Sequence, residues 1–175
     1  MGADLNDTTI DTDFASTAGR PTVRPIPWLD TKTAASVTDI SQSVATEHPE
    51  VQAVILFGSV ARREERPIDD PQPSDVDLLL VLDMQALDPI ITRLTNEQQL
   101  ALIHTIGEAD YRHRTAPREV KTLLIYKDLA NWDPMFIENV ARDGILLWSR
   151  GPLPAAFASI EKRAAHSLAE SQAAE

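Results

Sequence analysis

Two apolar runs constrain this chain more than anything else in it: VQAVILFG at 51–58 and DVDLLLVLD at 75–83. Both are rich in β-branched and large aliphatic residues, and the first is bounded by Pro49 and Gly58, so they read as partnered buried strands. The first ends in Gly58-Ser59 and the second opens with two aspartates one residue apart. Side chains at i and i+2 of a strand share a face, so Asp75 and Asp77 aim two carboxylates at one point. Like charges held together in this way are kept cheaply only with a cation between them. Oxygen-only ligands favour Mg²⁺ or Mn²⁺, and Mg²⁺ is typically held by one or two carboxylates plus substrate phosphates. Gly58, without a Cβ, lets backbone approach a phosphate, so a larger residue there is expected to clash with ligand more than with core. Ser59 offers a hydroxyl and an amide, and Arg62 a forked cation suited to phosphate oxygens. The constellation points to a nucleoside triphosphate carried with a metal ion.

The order Gly-Ser, Ala-Arg, Ser-Asp-x-Asp and then leucines resembles the minimal nucleotidyltransferases (MNT) of the DNA polymerase β superfamily, often encoded beside a HEPN-domain partner. The resemblance spans roughly residues 35–150, and FIENVARDGILLW is similar to the way those domains finish. Gly58, Ser59, Asp75 and Asp77 match its motif position by position. It implies an α/β (α+β) fold, a small mixed sheet packed with helices, and Mg²⁺-dependent transfer of a nucleoside monophosphate, AMP from ATP, to an acceptor hydroxyl. It also implies an antitoxin that adds AMP to a HEPN toxin. An isolated Asp-x-Asp is a common strand entrance; the Phe-Gly-Ser upstream separates this one from that background.

The chain departs from the pattern in two places. Arg63 follows Arg62 where the family loop has glycine, and REERPIDDPQP lengthens the stretch before Asp75. The superfamily's third carboxylate comes from a later strand, for which REVKTLLIY at 118–126 is the candidate. Alternation puts Glu119 and Lys121 on one face. If Glu119 registers with the aspartates, it completes a catalytic and metal-binding set, and Lys121 lies beside the triphosphate. If Lys121 takes the acid's place, metal binding is weakened and a module that neutralises its partner by contact alone becomes the better account. A small cationic acceptor of the aminoglycoside type is a further alternative.

At 175 residues the chain suits one domain with tails: an arm at 1–27, a nucleotidyltransferase domain at 28–150 and a helical extension at 151–175. A formal charge of −11 disfavours nucleic acid as the main substrate. There is no cysteine, hence no disulfide or thiolate site. No apolar run reaches membrane-span length and the N-terminus lacks the marks of a secretory signal, so a cytoplasmic location is expected.

Proline-rich, acidic residues 1–27 read as a disordered or loosely attached arm. Helical periodicity predicts helices from Asp30 or Thr31 to about Glu47, from near Pro89 towards His104, from Asp133-Pro134 to Gly144, and beyond Gly151. EVKTLLIY and ILLW are the remaining strands. ARREERPIDDPQPS reads as a loop with a short helix after Ser59, and Arg63-Glu64-Glu65 as a solvated charge run. His48 reads as a loop residue, and Trp28, Trp132 and Trp148 as core-edge aromatics. Arg112, His113, Arg114 and Arg118 concentrate positive charge that suits a triphosphate or an acidic partner.

Overall fold

The computed structural model of the chain describes residues 19–83, 117–126, 129 and 132–174. Helix α1 (Thr31–Glu47) starts where the Asp30 carboxylate accepts a hydrogen bond from Thr33 N at 2.9 Å, satisfying one of the amides a helix start leaves unpaired. Strand β1 (Val51–Phe57) follows, buried at every position up to Leu56, and runs directly into the five-residue α2 (Gly58–Arg62). Strands β2 (Val76–Leu82) and β3 (Val120–Tyr126), helix α3 (Pro134–Asp143) and strand β4 (Ile145–Ser149) come next. A short 3₁₀ turn at Ala155–Phe157 leads into α4 (Ala158–Ala173). Asp133 caps α3 through Met135 N, with Pro134 at the first helical position where a missing N–H costs nothing.

The four strands lie in the order β3-β2-β1-β4. β1 is antiparallel to both its neighbours, whereas β2 and β3 are parallel. Consecutive parallel strands require a crossover connection; the helix expected from near Pro89 towards His104 falls in this connection, and it and Arg112, His113 and Arg114 lie outside the described residues. Strand alternation sends side chains into two cores. On one face Val54, Leu56, Val76, Leu78, Leu80 and Val120 pack against Val37, Ile40 and Val44 of α1. On the other, Ile55, Leu79, Val81 and Ile125 meet Val140 of α3 and Phe157 and Ile160 at the start of α4.

Both ends of the described chain make contacts with the two cores. Arg24 N donates to Leu147 O at 2.8 Å, and Ile26 is buried in the first core. A helix is present in the C-terminal extension, and Phe157 and Ile160 at its start join the second core. Trp28 and Trp148 border the first core and Trp132 the second, as expected of core-edge aromatics. His48 is buried against Glu50, with Nδ1 3.0 Å from Oε1.

Candidate active site

The C-terminal end of β1 and the N-terminal ends of β2 and β3 meet at one edge of the sheet, on the face of the second core. Phe57 pairs with Asp77 across the antiparallel ladder, and the chain must turn at once into α2. It does so at Gly58 with φ +77°, a conformation that L side chains rarely adopt. A Cβ at this position would lie 2.6 Å from Asp77 Oδ2. The glycine is therefore required by the aspartate itself, and the expectation that a larger residue would clash with ligand more than with the protein is corrected. Ser59 follows, half-buried, at the head of α2.

Asp77 is about half-buried, and burial first, then the neighbouring Asp75 charge, push its carboxyl above the usual range, with Lys121 opposing. Asp75 and Asp77 share a face by strand alternation, and Lys121 pairs with the first while standing in register with the second. Lys121 stands beside Asp77 in the parallel register, so both side chains project from the same face. Its Nζ donates to Asp75 Oδ2 at 2.5 Å. That hydrogen bond, with the charges of Asp75, Glu119 and Asp77, holds the ammonium above its ordinary pKa. Both partners remain open to solvent, Lys121 at 52% and Asp75 at 35% side-chain exposure, so the pair is worth at most about 1 kcal/mol.

Glu119 is exposed. Among the described residues, no three acidic or histidine side chains gather into a group that could hold a metal ion. The β2–β3 register places Lys121 opposite Asp77, with Glu119 two residues before it, where the Glu119 carbonyl accepts from Val76 N at 2.8 Å. Two converging carboxylates beside a glycine cradle do fit one hard divalent ion that also takes phosphate oxygens.

Arg62 is exposed and turned towards acidic neighbours, with Nε 2.9 Å from Glu64 Oε2 and Nη1 4.0 Å from Asp143 Oδ2. Arg118 is buried on the opposite face of β3, where Nη1 donates to Arg66 O at 2.7 Å and Ser74 O at 3.0 Å. It braces the long loop ahead of Asp75, and an even position in a strand whose odd positions face the site was the available signal. Sequence reasoning also missed Trp28, whose Nε1 donates to Val60 O of α2 at 2.9 Å. Arg63 is exposed, as a solvated charge run implies, but it also has a structural contact: at φ 58° it ends α2 in the left-handed region and lays its guanidinium 4.4 Å from the Trp28 ring centroid. Cation–π attraction of about 0.5–1 kcal/mol offsets part of the backbone cost where the resembling loops carry glycine.

A mixed sheet that sets a Gly-Ser turn against an Asp-x-Asp strand defines a nucleotidyltransferase-type domain. The chain belongs to the polymerase beta nucleotidyltransferase family, whose model matches residues 40–152, well over half of its length. No curated protein matches it. Similar solved structures include a toxin-antitoxin with AMP-PNP, at 19% identity over 82% of this chain and 94% of that one, TM-score 0.37. A tri-AMPylated Shewanella oneidensis HEPN toxin in complex with MNT antitoxin is similar at 19% identity, 79% and 92% coverage and TM-score 0.39. The toxin-antitoxin MntA-HepT is similar at 18% identity, 79% and 92% coverage and TM-score 0.38. Likenesses of this size add nothing to the family match.

Proposed function

We propose that the chain transfers a nucleoside monophosphate, AMP from ATP, to an acceptor hydroxyl at the site formed by Gly58, Ser59, Asp75 and Asp77. The observation that carries this reading is the fit between Gly58 and Asp77: a positive-φ glycine is spent on bringing a half-buried carboxylate against the head of α2. Burial and the Asp75 charge make that carboxylate costly to ionise, and groups perturbed in this way cluster at functional sites.

In the reaction the acceptor oxygen bonds to the α-phosphorus. The α–β bridging bond breaks, and its electron pair leaves on pyrophosphate. Asp75 and Asp77 would hold Mg²⁺ or Mn²⁺, which when bound polarises the phosphoryl oxygens and orients the triphosphate. Gly58 and Ser59 present backbone and hydroxyl donors to the outgoing phosphates. Glu119, exposed and two residues before Lys121 on the same face, would receive the hydroxyl proton. Catalysis here is positioning and charge stabilisation, which asks little else of the protein.

For the acceptor we propose a hydroxyl on a HEPN-class partner protein, on the strength of the sequence resemblance to MNT proteins. The net charge of −11 supports a protein over a nucleic acid. Among the described residues, no helix is long and apolar enough to cross a membrane. A second reading, a contact-only module, is favoured by one observation: Lys121 stands in register with Asp77 where a third acid was expected. The test mixes the chain with its HEPN partner, Mg²⁺ and ATP labelled at the α- or γ-phosphate. Label on the partner from α-labelled ATP only supports transfer; a stable complex that takes up neither label supports contact alone.

A further inference from the structure

We propose that Lys121 takes the place of a second divalent ion, so that this protein binds nucleotide with a single metal ion held by Asp75 and Asp77. The inference rests on the nucleotide-binding reading above and concerns how that site is completed.

Three observations carry it. The β2–β3 register sets Lys121 beside Asp77 on the same face, and its Nζ reaches Asp75 Oδ2 at 2.5 Å, so the ammonium stands at the aspartate pair. Among the described residues, no third acidic or histidine side chain joins the pair to make a metal-binding group. A second divalent ion would thus find both a missing ligand and a positive charge in its way. Finally, Lys121 is 52% exposed on a flexible four-carbon stem. It is not locked in place.

The exchange this allows is inexpensive. An exposed lysine–carboxylate pair is worth about 0–1 kcal/mol, far less than a divalent ion shared between two carboxylates and a triphosphate. Once the ion takes Asp75, the ammonium is released within reach of the same centre. There its three N–H donors suit phosphate oxygens, for which lysine acts as a point charge.

The test counts bound Mn²⁺ by electron paramagnetic resonance, with a saturating non-hydrolysable ATP analogue, in wild type, Lys121→Asp and Lys121→Met. The side chain is exposed, so all three should share one circular dichroism spectrum. We expect one Mn²⁺ per chain in wild type and two in Lys121→Asp. In Lys121→Met we expect one, with analogue affinity about tenfold weaker, the size of one charge-assisted hydrogen bond. Two Mn²⁺ in wild type, or undiminished analogue affinity in Lys121→Met, would overturn the substitution of lysine for metal while leaving the nucleotide site standing. No analogue-dependent Mn²⁺ in wild type would overturn the nucleotide-site reading and this inference with it.

Discussion

Gly58→Ala probes the contact on which the site is built. Two costs follow from the geometry. At φ +77° an L residue loses about 1–2 kcal/mol relative to glycine. The new Cβ would stand 2.6 Å from Asp77 Oδ2, a separation that real contacts do not show. The carboxylate must withdraw, and a side chain driven off its rotamer costs about 0.5–1.5 kcal/mol. Together these give about 1.5–3.5 kcal/mol, which lowers the melting temperature by roughly 3–14 °C in a domain of this size. Urea and thermal melts of wild type, Gly58→Ala, Asp77→Ala and the double variant separate the two costs. Without the Asp77 carboxylate only the backbone cost remains, so the pair should couple by about 0.5–1.5 kcal/mol. Strictly additive effects, or a Gly58→Ala protein that melts with wild type, would refute the reasoning.

Asp77→Asn should stabilise the nucleotide-free protein at neutral pH. The folded carboxyl titrates above its ordinary 3.8 through burial and Asp75, so its ionised form opposes folding, and the gain should appear as pH rises through that window and vanish near pH 3; melts at both pH values check this, and an unchanged or lower melting temperature at neutral pH would contradict it. Trp28→Phe removes the donor to Val60 O and should cost about 1 kcal/mol, with faster amide exchange confined to α2 as the signature. Arg118→Leu strips a charged donor from the carbonyls of Arg66 and Ser74; it should cost about 2–3 kcal/mol and expose the 66–74 loop to proteolysis while β1 stays protected from exchange.

The elements were legible because each carries a local cause. β1 and β2 are apolar at nearly every position, α1 and α3 have aspartate caps, and Pro134 marks a helix start. Gly58 and Asp77 were legible as site residues, yet the reason for the glycine was not: that Asp77 itself fills the space of a Cβ depends on how β1 and β2 are aligned. The choice between Glu119 and Lys121 was out of reach for the same cause. Alternation assigns both to one face, and only the parallel register with β2 decides which stands opposite Asp77. Arg63 reads as surface charge and is exposed, while Arg118 reads as part of a basic cluster for a ligand or partner and is instead buried. Their roles arise from partners distant in sequence, Trp28 for one and the Ser74 carbonyl for the other. Ile26 was hidden by the prolines around it, whose composition suggests disorder where the fold uses an extended packed segment.

The central claim is that Asp75 and Asp77 form one centre with the triphosphate of a bound nucleotide. Calorimetric titration of MgATP into wild type and into Asp77→Asn tests it most directly, since the asparagine keeps the shape of the side chain and removes only its charge. The account predicts saturable binding by wild type that requires the metal and is weakened at least tenfold by the substitution, about 1.4 kcal/mol or more, in a protein that melts no lower than wild type. Equal affinity in the two proteins, or wild-type binding indifferent to Mg²⁺, would contradict it.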